Sequence, residues 1–147
     1  MSLKSVLMVG GAVVLLYAGS VLIRAHKWEK GAEDYMKVAL MDVANPWDVE
    51  KLERRASWGF LEKAKLKPND IVGLSKNSLG NIVEIITNPK CNIQQGYDRY
   101  SDIKHTYAVC TTKAKFEKTT VVITIRLQDD GDWENGNWKI SDFMSVN

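Results

Sequence analysis

Cysteine, histidine and proline are scarce in this chain, and the motifs of several common enzyme classes are missing. The 147 residues include two cysteines, two histidines and three prolines. Without a CxxC motif, and with only two histidines, the sequence does not offer the usual ligand set of a zinc site. It also lacks a GxSxG elbow, an HExxH motif, a phosphate-binding glycine loop and the GxGxxG dinucleotide fingerprint. These absences favour a non-catalytic role, although they leave an enzyme open, and they predict neither a metal nor a cofactor.

A concentrated charge of one sign is missing as well. Lysine and arginine total 20 and aspartate and glutamate total 18, so the formal net charge is +2. The two signs are interspersed along the chain, whereas a nucleic-acid-binding protein carries a concentrated basic face. We therefore expect no nucleic-acid partner.

What the chain does have is an uncharged apolar run, Ser5–Ile23, bracketed by Lys4 and Arg24. A helix rises ~1.5 Å per residue, so a run of this length is sufficient to span the hydrocarbon layer of a bilayer. The sequence predicts a single transmembrane anchor over residues 1–25 and one polar domain over residues 26–147.

Two alternatives to this anchor remain open at the level of sequence. The small residues Ala18-Gly19-Ser20 are suitable for signal peptidase, which makes the run an alternative signal segment. Lys27 and Lys30 follow Arg24, and by the positive-inside rule such a cluster keeps the following domain in the cytoplasm. The short N-terminal tail is nevertheless typical of an export anchor. We therefore predict an inner-membrane protein with a periplasmic domain, and a cytoplasm-facing domain is the alternative.

The first half of the polar region is predicted to be helical. Apolar residues recur at steps of three and four from His26 to Val43, which indicates one amphipathic helix. Asn45-Pro46 ends it and is expected to start a second helix, with Asn45 as the cap. A third helix is predicted over Trp58–Leu66. A fourth element opens after Pro68 and closes at Leu79-Gly80, a typical helix C-cap.

From residue 81 onward the period changes from 3.6 to 2, which predicts strands. The strongest strand signal is the β-branched run TTVVITIRLQ. The helices followed by an antiparallel meander predict an α+β domain. The predicted strands are Ile82–Thr87, Cys91–Tyr97, His105–Phe116, Thr119–Gln128 and Trp138–Val146.

This order of elements, closed by WENGNWKISDF, resembles the cystatin-like, nuclear-transport-factor-like superfamily. Trp138, Ile140 and Phe143 carry the likeness in the last strand, and the resemblance covers roughly Trp28 to Val146. It implies helices packed on a curved antiparallel sheet. Because the same fold serves enzymes, ligand carriers and assembly scaffolds, it does not specify a function.

Cys91 and Cys110 fall on two predicted strands joined by a loop, so they can stand opposite each other. An even cysteine count in an exported domain predicts a disulfide between them. In the chain-entropy model such a bridge contributes roughly 3 kcal/mol. The alternative is a pair of buried free thiols.

Two classes of function follow from these patterns. The first is an exported interaction or scaffold module, held at the membrane by its helix, with Trp47, Trp58 and Trp133 as contact residues. Its architecture resembles that of the single-helix components of bacterial envelope and secretion-type assemblies that carry this fold, and the resemblance implies a role in such an assembly. The second is a small-ligand or catalytic pocket between the first amphipathic helix and the sheet, with Tyr35, His105, Tyr107 and Asp142 as its polar groups. A small toxin, immunity or lysis-control protein of the same layout is a further alternative.

Overall fold

Helices occupy the first half of the chain and strands the second. The structure, a computed structural model, describes residues 3–97, 103–130 and 137–146, with the backbone alone at residues 3–21 and 144–146. The α+β class predicted from the sequence is confirmed. The described elements are α1 (Leu3–Ala44), α2 (Val49–Arg55), α3 (Trp58–Lys63), α4 (Pro68–Leu79), β1 (Ile82–Ile85), β2 (Lys90–Tyr97), β3 (Lys104–Phe116), β4 (Thr120–Asp129) and β5 (Trp138–Val146).

The first helix differs from the prediction. It runs without interruption from Leu3 to Ala44. Among the residues that the structure describes, no helix is long and apolar enough to cross a membrane, and the predicted transmembrane helix over Ser5–Ile23 is corrected accordingly. Charged groups are expensive in lipid, and they recur throughout the part of α1 whose side chains are described: Arg24, Lys27, Glu29, Lys30, Glu33, Asp34, Lys37 and Asp42.

Capping residues set the ends of the helices in the first half of the chain. α1 stops before Asn45-Pro46, because proline cannot continue a helix. The next helix begins later than predicted, and its cap is Asp48, whose carboxylate accepts a hydrogen bond from the Lys51 backbone N–H at 3.1 Å. α3 ends at Lys63, three residues short of the predicted Leu66. Each short helix thus has its own stop and start signal.

Gly80 ends α4 in the only backbone conformation with a positive φ among the described residues. Its φ is +74°, and a Cβ at this position would lie 2.6 Å from a carboxylate oxygen of Glu117. Both the torsion and the close approach require glycine. The predicted C-cap at Leu79-Gly80 is confirmed.

The sheet is antiparallel, with the strand order β1-β3-β4-β5, and β2 pairs with β3 beside β1. β1 pairs with the end of β3 around Phe116, and β2 pairs with its first part, from Lys104 to Thr111. Irregularities in the β4–β5 register, between Thr124 and Ile125 and between Arg126 and Leu127, shift the pairing of the last strand. Such bulges bend and twist a sheet locally.

The helices pack on one face of this sheet, and apolar side chains fill the space between the layers. The stripe of α1 that faces the sheet includes Ala32, Met36 and Leu40, each at most 2% exposed. Alternate residues of β3 point into the same core, as the period-2 pattern predicts. The buried residues from the strands include Ile82, Ala108, Cys110, Ala114, Phe116, Ile123, Ile125, Leu127, Trp138 and Ile140.

Candidate functional site

The candidate site lies where the last strand meets the connection between α2 and α3. The Ser57 backbone N–H donates to the Ile140 carbonyl at 2.8 Å, and Ala56 forms an isolated parallel bridge with Ile140. At this point the chain follows the outer edge of β5. It then turns into α3, because the Ser57 hydroxyl accepts from the Phe60 N–H at 3.3 Å and caps that helix. The turn places α3 alongside β5 and leaves a space between the two elements.

An open groove of about 490 Å³ lies in this space, and we call it the α3–β5 groove. This volume falls within the range of ordinary ligand sites. Five of its eight lining residues are apolar and three are charged. Its lining residues are Phe60, Lys63, Ala64, Lys65, Leu66, Ile71, Asp142 and Phe143.

The segment between α3 and α4 is held in place by a lysine. The Lys67 ammonium donates to the carbonyls of Leu61 and Glu62, each at 2.8 Å, and so satisfies two carbonyls at the end of α3. The Lys67 backbone N–H donates to the Asp70 carboxylate at 3.2 Å, which fixes the start of α4. Leu66, which precedes this anchored lysine, is 55% exposed at the groove.

Trp58, one of the predicted interaction residues, stands beside this groove. Its side chain is 60% exposed, although tryptophan is usually well buried. The ammonium of Lys63, which lines the groove, lies 5.0 Å from the centroid of the Trp58 ring. An exposed aromatic ring beside an apolar groove is typical of a protein-binding surface.

The other two tryptophans predicted as interaction residues, Trp47 and Trp133, do not line this surface in the described part of the chain. Trp47 is buried, with 6% of its surface exposed; its indole N–H donates to the Gly80 carbonyl at 2.7 Å, and its ring stacks on Phe116. Trp47 therefore belongs to the core, where it joins the helical half to the sheet. Trp133 lies outside the described residues.

The structure brings together two of the predicted polar pocket residues, His105 and Tyr107. Their ring centroids are 6.1 Å apart, and His105 Nδ1 lies 3.4 Å from the Gln128 amide nitrogen. Tyr107 is 2% exposed and lies under the guanidinium of Arg126, 3.8 Å from its ring centroid. Since neighbouring residues of β3 point into the core, these rings occupy the sheet face opposite the helices.

Asp142 is linked to this pair through Arg126, whereas Tyr35 is placed elsewhere. Asp142 on β5 is the strand partner of Arg126 and also borders the α3–β5 groove. Tyr35 lies on α1, on the helix side of the sheet, with the Arg55 guanidinium 5.6 Å from its ring centroid. The sheet therefore separates Tyr35 from His105 and Tyr107.

Arg55 organises a charged cluster around Tyr35. It donates to the Asp42 carboxylate at 3.0 Å, and Lys51 lies 3.5 Å from the same carboxylate. Burial raises the pKa of the Tyr35 phenol, and Arg55 only partly offsets this. Burial also acts to raise the pKa of Asp42, but the contacts with Arg55 and Lys51 outweigh it and lower that pKa. The cluster joins α1 to α2.

The predicted disulfide between Cys91 and Cys110 is confirmed. The two residues are direct cross-strand partners in the β2–β3 ladder. Cys110 is fully buried under the helices, so the bridge joins the strand at the sheet edge to the core.

Sequence reasoning missed the apolar residues of the α3–β5 groove. Phe60, Ile71 and Phe143 come from three different elements, and no local period places them together. The one local signal is the segment KAKLK, residues 63–67, in which lysines alternate with apolar residues outside any strand. Such alternation away from a sheet indicates a surface that is both charged and apolar.

Comparisons with known proteins find no matching family model, no matching curated protein and no matching solved structure.

Proposed function

We propose that this chain is an interaction module of a bacterial envelope or secretion-type assembly, and that the α3–β5 groove contacts its partner. The observation that carries the proposal is the apolar groove with the exposed ring of Trp58 beside it. Interfaces concentrate their binding energy in such aromatic anchors and apolar depressions.

The layer between α1 and the sheet supports this choice over an internal ligand pocket. Met36 and Leu40 of α1 belong to the same cluster of buried apolar residues as Leu127 of the sheet, and each is at most 2% exposed. Because apolar side chains of the described residues occupy this layer, recognition at the surface is favoured over a pocket inside it.

The disulfide supports an extracytoplasmic location. Disulfides persist in oxidising compartments such as the bacterial periplasm and are rare in the cytoplasm. We therefore place the domain on the extracytoplasmic side as part of the proposal. Membership of the cystatin-like, nuclear-transport-factor-like superfamily also stays a proposal, supported by the α+β order of elements.

The test is recovery of the native partner complex from the organism's own cells. Ala64→Glu places a charge in the groove, and Trp58→Ala removes the exposed ring. Leu74→Glu is the matched control, because Leu74 is 60% exposed on α4 and does not line the groove. We expect the two groove variants to lose the partner and the control to retain it, with similar thermal unfolding in all three. Retention by both groove variants would refute the proposal.

A second candidate function is binding of a small polar ligand near His105. A hollow of about 430 Å³ lies there, lined by polar residues that include Lys104, Asp129 and Asp130. NMR titration of His105→Ala against the native chain, with a panel of small anions and sugars, tests it. Chemical shift changes at other lining residues, such as Gln95 and Thr106, that occur in the native chain and disappear in the variant support this function, and their absence in the native chain opposes it.

A further inference from the structure

The connection between α2 and α3 pairs with the outer edge of β5 at Ile140 and then turns away from that edge. Among the described backbone hydrogen bonds outside the ladders and helices, the bond from Ser57 to Ile140 is the one that reaches this edge. Ala56 pairs there in the parallel sense, which shows that the edge accepts another extended segment. Beyond Ile140 the edge continues over residues 141–146, about 20 Å at the usual rise of a strand. The edge of an outer strand is a template for pairing with another chain.

The α3–β5 groove lies alongside this same edge. One wall consists of Asp142 and Phe143 of β5, and the other consists of α3 and the segment that follows it. A helix bound in the groove would satisfy its own backbone and leave the β5 edge unpaired. An extended segment would pair with the edge and direct alternate side chains into the apolar groove, as in other complexes formed by strand addition.

The charge on the groove selects among extended segments. Lys63 and Lys65 lie on the α3 wall, both exposed, with Leu66 beside them, whereas the one acidic lining residue, Asp142, lies on the β5 wall. A bound segment therefore gains from an acidic residue at the α3 wall next to a large apolar one. A basic residue at that wall would meet two like charges, which opposes binding.

We infer that the α3–β5 groove binds an extended, acidic-apolar segment of a partner protein, which adds to β5 as a further strand. The inference rests on the proposed function of the groove and names the chemistry of its partner. The apolar side chain of the segment enters the hollow between Phe60, Ile71 and Phe143, and its acidic residue lies near Lys63 and Lys65.

The test is a selection of random twelve-residue peptides on the folded full chain, followed by affinity measurement on the synthetic winners. We expect the winners to combine an acidic residue with a large apolar one. N-methylation of alternate backbone nitrogens should weaken binding about tenfold or more in one register and little in the other, because only one set of N–H groups faces β5. The double variant Lys63→Glu/Lys65→Glu should weaken binding about tenfold, while the control Lys76→Glu on α4 leaves it unchanged.

The other possible outcomes refute the inference, and each identifies the part of it that is wrong. Winners that lose affinity with Ala64→Glu but tolerate N-methylation in both registers refute strand addition and leave the groove as the contact surface. Basic winners refute the stated charge. No winners, or winners indifferent to Ala64→Glu, count against the proposed function as well. If the chain alone dimerises and Ala64→Glu prevents this, the occupant is a second copy and the partner segment is refuted.

Discussion

The two outer edges of the sheet are covered in different ways. At the β2 edge, the disulfide ties Cys91 to Cys110, and the Cys91 N–H donates to the Glu33 carboxylate of α1 at 3.4 Å. At the β5 edge, the connection between α2 and α3 makes one backbone hydrogen bond to Ile140 and then leaves. The same sheet therefore has one edge joined to the core by a covalent bond and another that borders a groove.

Because of this difference, we expect the β2 edge to contribute mainly to the stability of the domain and the β5 edge mainly to the binding of a partner. Residues that cover the β2 edge connect long-range elements, so their loss should reduce the free energy of unfolding. Residues along the β5 edge beyond Ile140 border the α3–β5 groove, so substitutions there should affect binding more than stability. Four experiments test this division, in order of decreasing expected effect.

Removal of the disulfide should have the largest effect. The double substitution Cys91→Ser/Cys110→Ser frees a loop with a sequence separation of 19 residues. We expect a loss of about 3 kcal/mol in the free energy of unfolding, measured by chemical denaturation. A reducing agent should lower the stability of the native chain and leave the variant unchanged; equal stability of the variant and the oxidised chain would show that the β2 edge is held by other contacts.

Two substitutions of Ser57 measure the single contact at the β5 edge. Ser57→Ala removes the cap of α3 and should cost about 1 kcal/mol. Ser57→Pro removes in addition the N–H that donates to the buried Ile140 carbonyl, and should cost about 1 kcal/mol more. Proline is compatible with the local backbone, since φ of Ser57 is −71°. Equal denaturation midpoints for the two variants would mean that the edge contact contributes nothing.

Glu33→Ala tests the contact between α1 and the β2 edge. It leaves the half-buried Cys91 N–H without its carboxylate acceptor, and we expect a loss of about 0.5–1 kcal/mol. Glu33→Gln keeps an acceptor oxygen and should remain close to the native chain in the same denaturation measurement. If both variants lose equal stability, the carboxylate charge is what matters, and the contact is not a simple cap on the strand edge.

The smallest effect is expected for Asp42, which ties α1 to the helix that leads into the β5 edge. Its pKa is lowered in the folded chain, so the unfolded chain binds more protons and stability rises with pH in this range. Asp42→Asn should therefore cost about 0.5 kcal/mol at pH 7, a modest value because the pair is partly exposed. The difference should vanish as the pH falls below about 3.9 and through the folded pKa. Asp34→Asn, which removes an exposed pair with Lys30, is the control for denaturation between pH 7 and pH 2.

Local patterns were sufficient to predict the strands. β5 was predicted with the bounds that the structure has, Trp138–Val146, and β4 was shifted by one residue at each end. The alternation of β-branched and polar residues in these segments comes directly from their two faces. The disulfide could be predicted because both cysteines lie on strands joined by one connection.

Long-range contacts account for what local patterns could not show. The groove needs Phe60, Ile71 and Phe143, which the chain brings together only after α3 has packed against β5. The transmembrane prediction was based on Ser5–Ile23 alone, whereas the structure joins that run to a charged segment in one helix. The burial of Trp47 depends on the carbonyl of Gly80, more than thirty residues away.

The position of Trp138 has a consequence for synthesis on the ribosome. This residue begins β5, is 3% exposed, and its indole nitrogen lies 3.7 Å from the place that a Cβ on Gly31 would occupy. The apolar stripe of α1 is therefore synthesised early, but it is completely buried only after β5 has emerged from the ribosome. Until then a nascent chain presents the outer edge of β4 together with uncovered apolar surface, which is a combination prone to association. Folding of this domain is consequently expected to finish after translation of the last strand, and holding chaperones are expected to bind the chain in that interval.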